Sequence, residues 1–120
     1  MKLPLAVLLL AASLPANTPD PGLAARGELH YSACAACHDP GGTTALGPDL
    51  RGVFGRRAAT APGFRYSGAL RRSGIVWDQA TLDRFIADPQ TAVPGNTMPY
   101  PGLPDSDQRR ELLAYLKTLQ

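Results

Sequence analysis

The sequence predicts an all-α domain with long irregular loops, and three observations lead there. Three segments repeat apolar residues at intervals of three and four, and no stretch of useful length alternates apolar with polar. Residues 39–66 and 87–105 are crowded with Gly and Pro and show little periodicity.

The chain opens MKLPLAVLLLAASLPANT. One cation, Lys2, precedes an apolar run from Leu3 to Leu14 that closes in small residues and a Pro, the build of a secretory signal. The run is short for a helix across a hydrocarbon core of ~30 Å. Residues 1–16 are therefore expected to be a signal peptide and residues 17–120 one domain. Cleavage is placed after Ala16, with a cut after Ser13 or an uncleaved anchor as the alternatives.

The first predicted helix is GLAARGELHYSACAACH, residues 22–38, in which Leu23, Gly27, Tyr31 and Cys34 share a face. Gly27 costs about 1 kcal/mol against Ala inside a helix, a cost that makes sense where another backbone passes close. A short turn is expected at SGALRRSG. The next helix is DQATLDRFIAD, with Asp78 as N-cap, Leu82, Phe85 and Ile86 as its stripe and Pro89 as its stop. The last is DSDQRRELLAYLKTLQ, with Asp105 or Ser106 as its cap. Asp105 and Gln108 have capping-box spacing there, and Leu112, Tyr115, Leu116 and Leu119 form the buried side. Small Gly27 on one stripe and large Tyr115 on another predict that the first and last helices cross.

The 120 residues carry 12 Lys+Arg against 10 Asp+Glu, and Lys2 leaves with the signal. So even a balance gives no argument for nucleic-acid or membrane binding. Gly- and Pro-rich loops bury little apolar surface, and a domain this small has little core to spare. A large apolar prosthetic group would supply what the chain lacks.

Both cysteines lie in SACAACHDP, three apart, with His38 directly behind Cys37. Three chemistries use such a pair. A disulfide oxidoreductase places it at the start of a helix after a strand, a context missing here. A structural zinc site needs four ligands; His30 is the one further nitrogen, and those four residues are too local to wrap a metal. C-x-x-C-H is also the attachment pattern for c-type haem. In that reading Cys34 and Cys37 add to the two vinyl groups as thioethers, and His38 becomes the proximal iron ligand. Both thiols are then consumed, and the porphyrin becomes the missing core.

The sixth iron position decides what such a haem does. Without the signal, Met98 is the only methionine, set in the Pro-rich loop VPGNTMPYPGLP. A thioether opposite an imidazole raises the reduction potential. His30, one turn before the tether, is on the proximal side and is set aside as that ligand.

With these residues in view, the chain from about Gly22 to Gln120 resembles class I cytochrome c, in particular the mitochondrial cytochrome c and bacterial cytochrome c2 branch. CAACH, LGPDLRGVFGR, APGFRYSGAL, GIVWD, DPQTAVPGNTMPYPGL and ELLAYLKTL follow in family order and at family-like spacing. The resemblance implies three main helices and a short one, with long loops wrapped around one covalent haem c. It implies that Pro48 offers its carbonyl to the other nitrogen of His38. It further implies that Tyr66 and Trp77 bond the inner propionate with Arg56 nearby, and that Tyr100 shields the haem on the Met98 side. By the same resemblance, Ala92 stands where the family often has a Tyr near the Met sulfur, and Leu70 where it often has an Asn. The polar network around Met98 is accordingly expected to be thin.

The lysine ring of mitochondrial relatives is missing, since Lys117 is the only lysine beyond the signal. Arg51, Arg56, Arg57, Arg65, Arg71 and Arg72 cluster instead, with Asp49 the only acid among them. They are either solvated charges or a surface that steers an acidic redox partner. The expected function is a monomeric, periplasmic one-electron carrier between membrane or periplasmic redox proteins, not an enzyme, with no small-molecule substrate and no nucleic acid. A haem subunit fixed in a dehydrogenase or oxidase complex is the alternative, and a haem with an open iron position the third reading.

Overall fold

The computed structural model describes residues 1–13, 20–38 and 46–120. Helix α1 spans Pro21–Ala35, α2 Gly68–Arg72, α3 Gln79–Ala87, α4 Pro89–Ala92 and α5 Ser106–Thr118. Among the described residues the nearest thing to a strand is one antiparallel bridge, Arg57 to Val76. The expected cleavage point at Ala16 lies outside the described residues. Among them no helix is long and apolar enough to cross a membrane.

Asp20 caps α1, accepting from the Gly22 N–H at 2.8 Å, and Pro21 occupies the first turn where a missing N–H costs nothing. The helix stops three residues short of its expected end. Cys37 and His38 both donate their backbone N–H to the Cys34 carbonyl, at 3.1 and 2.9 Å, in a closing turn. Tyr31, part of the core, donates its hydroxyl to the His38 carbonyl at 3.0 Å and ties that turn to it.

The crossing of α1 and α5 is the most extensive helix–helix contact in the fold. Gly27 is buried at its centre: a Cβ there would lie 2.6 Å from the Glu111 carbonyl carbon and 2.9 Å from Tyr115 Cβ. The Tyr31 and Tyr115 rings pack alongside with centroids 5.0 Å apart. At the rim Glu111 accepts from Arg26 at 3.0 Å and pairs with His30 Nε2 at 2.8 Å.

Asp78 caps α3 in a reciprocal capping box with Thr81. Pro89 does end α3, but it also opens α4: Asp88 closes the one helix and caps the other, accepting from the Thr91 N–H. Of the two cap candidates for α5 it is Asp105 that takes the position, accepting from the Gln108 N–H. Its most buried residue, Leu113, lies outside the expected stripe. α5 packs on both α1 and α3, so more than one stripe faces inward. Arg109 joins these parts, donating to Asp83 of α3 and to the Leu103 and Pro104 carbonyls of the loop before α5. The core built this way includes Val53, Trp77, Leu82, Leu112 and Leu116, and each of these also lines one deep cleft.

Candidate functional site

The cleft holds about 1330 Å³ of empty space, its open mouth included. All nine residues singled out from the sequence line it: Cys34, Cys37, His38, Pro48, Arg56, Tyr66, Trp77, Met98 and Tyr100.

One wall is the end of α1. Neither cysteine forms a disulfide. Burial, with Cys37 nearby, pushes the Cys34 thiol above its ordinary value, so it stays protonated at neutral pH. His38 Nδ1 lies 2.8 Å from the Pro48 carbonyl, which can only accept, so Nδ1 carries the proton. Burial holds the imidazole below its usual value; Arg56 adds to that and the Pro48 bond opposes it. The result is a neutral ring with one tautomer fixed and the Nε2 lone pair unspent, the form a metal takes. Gly47 makes room for it: a Cβ there would come within 2.8 Å of the ring and of the Cys37 carbonyl. Among the described residues no three His, Cys, Asp or Glu converge on a metal site, and His30 is turned to Glu111.

The loop between α4 and α5 also lines the cleft, with Met98 and Tyr100 half-buried in it. The lining also includes Trp77, buried against Phe85 at 5.1 Å between centroids, and Tyr66, whose hydroxyl accepts from the Ala61 N–H at 3.1 Å. That bond leaves the Tyr66 O–H proton for another acceptor. Burial pushes the Tyr66 phenol above its usual value, with the Ala61 bond and Arg56 pulling the other way. Among the described residues Arg56 is the only permanent cation lining the cleft, held by a bond from Nη1 to the Arg51 carbonyl at 3.3 Å.

This lining suits a flat apolar group with anionic edges. The walls are mostly aliphatic and aromatic, a cation and a phenol lie near one another, and two thiols and a basic imidazole nitrogen come from the end of α1 and the turn after it. Haem c has those needs. When bound it supplies an iron that accepts and returns one electron.

Leu70 lines the cleft, as the resemblance implied, and Ala92 does not. Ala92 sits with Ile75, Thr81 and Arg84 at a separate shallow hollow, because the single turn of α4 carries it away. The aromatic that α3 presents to the cleft is Phe85, which has no hydroxyl. The thin polar surroundings expected for Met98 therefore have a different residue as their cause. Asn96, absent from the sequence reading, also lines the cleft and is buried. A polar residue in a Pro- and Gly-rich loop carries no sequence signal that separates it from a turn former.

Comparison with known proteins agrees with this geometry. A family model described as cytochrome c matches residues 24–120. Cytochrome c2 of Rhodoblastus acidophilus is 46% identical over 92 residues, covering 75% of this chain and 86% of the relative. Cytochrome c2 of Blastochloris viridis is 40% identical over 119 residues, covering 97% of this chain and 91% of its own. Among solved structures, cytochrome cH from Methylobacterium extorquens has a TM-score of 0.75 at 44% identity, covering 79% of this chain and 97% of that one. The helical fold is thus the class I cytochrome c fold, and the chain belongs to the cytochrome c family, whose covalent haem c its C-x-x-C-H at Cys34–His38 is built to take and whose work is electron transfer rather than the conversion of a substrate.

Proposed function

We propose that this chain is an exported, monomeric one-electron carrier whose haem iron is held by His38 and Met98, with thioethers to Cys34 and Cys37. The observation that carries the reading is the meeting of both cysteines, the His38–Pro48 pair and Met98 on a single cleft. Pro48 fixes and enriches the imidazole. The Met98 thioether, a soft ligand, favours the reduced iron. Apolar walls exclude water, and a ligand set that does not change between oxidation states keeps reorganisation small. Arg56, Tyr66 and Trp77 would receive the propionates, and Tyr100 would cover the Met98 side.

Residues 1–16 we read as the export signal, with the mature domain at 17–120 in the periplasm. The match to the Blastochloris viridis protein covers enough of this chain to run through that segment. Mass measurement of the periplasmic form should give a chain beginning at Asn17.

The ligand pair is tested by optical spectroscopy. The wild type should be low-spin, with the weak long-wavelength Met–Fe(III) band, and should not bind carbon monoxide when reduced. Met98→Ala should lose the band and bind carbon monoxide. A mutant that keeps the band would remove Met98 from the iron.

Redox partners are read from charge. Arg57, Arg65, Arg71 and Arg72 are exposed, and among the described residues none of them is in an ion pair, whereas Arg51 is held by Asp49 at 2.6 Å. Free surface cations raise encounter rates with an acidic partner, and salt screens them beyond ~8 Å at physiological strength. The bimolecular rate of electron transfer with an acidic redox protein should fall roughly tenfold between low salt and ~0.5 M. A rate that is flat or rising with salt would leave these arginines as solvated charges.

A further inference from the structure

Among the described residues Asn96 is the only buried polar side chain, 7% exposed. It lies two residues before Met98 and uses both ends of its amide. Nδ2 donates to the Pro89 and Val93 carbonyls, each at 2.9 Å, and Oδ1 accepts from the Met98 backbone N–H at 3.0 Å. Pro89 and Val93 are the first residue and the C-cap of α4, and α4 is joined to α3 through their shared cap, Asp88. The peptide of Met98 is therefore tied by one side chain to the helical frame behind it. From outside, the exposed side chain of Gln90 braces the same segment, donating to the Asn96 carbonyl at 2.8 Å and accepting from the Gly95 N–H at 3.2 Å.

A fold needs no buried amide to turn a loop that already contains Pro94, Gly95, Pro99 and Pro101. Truncating the amide would leave the Met98 N–H without its partner and take a second donor from the Pro89 and Val93 carbonyls, which would keep only the backbone N–H of Val93 and of Asn96. The bond to its N–H holds in place the backbone from which the Met98 side chain reaches the cleft.

We propose that Asn96 is the positioning residue for Met98: its three hydrogen bonds hold the loop closed and set how easily an outside ligand displaces the thioether. The proposal rests on the reading of Met98 as the sixth ligand, and the experiment separates the two.

Imidazole is titrated into the ferric holoprotein, and loss of the Met–Fe(III) band is followed. Imidazole reaches the iron only when the Met98 segment opens, so its affinity reports the opening equilibrium. Asn96→Ala should bind imidazole at least about tenfold more tightly than wild type, the effect of losing a few buried bonds. Gln90→Ala, on the surface, should shift affinity in the same direction by less. Glu111→Ala, which weakens the α1–α5 crossing without touching the loop, should leave it at the wild-type value. Equal affinity in Asn96→Ala and wild type overturns the proposal. So does a rise in Glu111→Ala as large as that in Asn96→Ala, because the effect would then be general loss of stability. If Asn96→Ala does not accumulate, Asn96→Ser serves, since a hydroxyl can reach the Met98 N–H but not both carbonyls. It should show an intermediate rise, and wild-type affinity in it overturns the proposal equally. A wild type with no Met–Fe(III) band fails at the earlier step and overturns both.

Discussion

Replacing Cys34 and Cys37 together by alanine is expected to release the haem and, with it, the fold. After acid–acetone extraction the wild-type chain should keep its haem and the double variant should keep none, since no thioether remains. The larger effect is on the polypeptide. Val53, Trp77, Leu82, Leu112 and Leu116 belong to the buried core and also form the walls of the cleft. Core substitutions cost more as the cavity they leave grows, because surrounding structure relaxes only in part. The cleft is lined from α1, α3, α5 and the loops together, so leaving it empty strips a partner from the whole core rather than from one side chain. With no group filling it, these five residues face each other across a gap or must collapse onto one another. The variant should therefore unfold without a sharp transition, with near-ultraviolet circular dichroism lost while helical signal partly remains, as in a molten globule. A haem-free variant that melts cooperatively near the wild-type temperature would sink the claim that the cofactor is the core.

The chemistry of this site was legible in sequence because it is confined to rare residue types. Two cysteines, a histidine fixed beside them and one methionine downstream leave few combinations, and all four reach the same cleft. Pro48 and Trp77 were legible only through family resemblance, since a carbonyl has no side-chain signature and an indole in a core is ordinary. The limits come from local geometry that spacing does not encode. Ala92 lies six positions before Met98, yet a single turn of α4 swings it to another surface, and Phe85 takes the cleft from a helix earlier. Leu113 falls off the stripe that periodicity draws on α5, because that helix is gripped by α1 and α3 together. Asn96 was invisible for a further reason. What it does depends on two carbonyls that become its partners only once Pro89–Ala92 has coiled into a helix.

Gly27→Ala is expected to lower stability by about 2 kcal/mol, although alanine is the better helix former. In an exposed helix interior the exchange would favour the variant by about 1 kcal/mol. Here the added Cβ would lie 2.6 Å from the carbonyl carbon of Glu111 and 2.9 Å from Tyr115 Cβ. The first of these is backbone, which no rotamer change can move aside. Relief requires α1 and α5 to separate, and their separation opens the Tyr31–Tyr115 contact and loosens Leu112 and Leu116 behind it. Overpacking of this kind costs roughly 1–3 kcal/mol and here involves the largest helix contact, so the net loss falls near the upper half of that range. For a domain of this size the midpoint should drop by on the order of 10 °C. The strain also bears on the site, because α1 ends in the turn that carries both tethers and His38. Thermal melts of the oxidised and reduced holoprotein check it. A midpoint within ~2 °C of wild type, under a scale of roughly 4–8 °C per kcal/mol, would mean the crossing yields freely and that Gly27 is not there for the close approach.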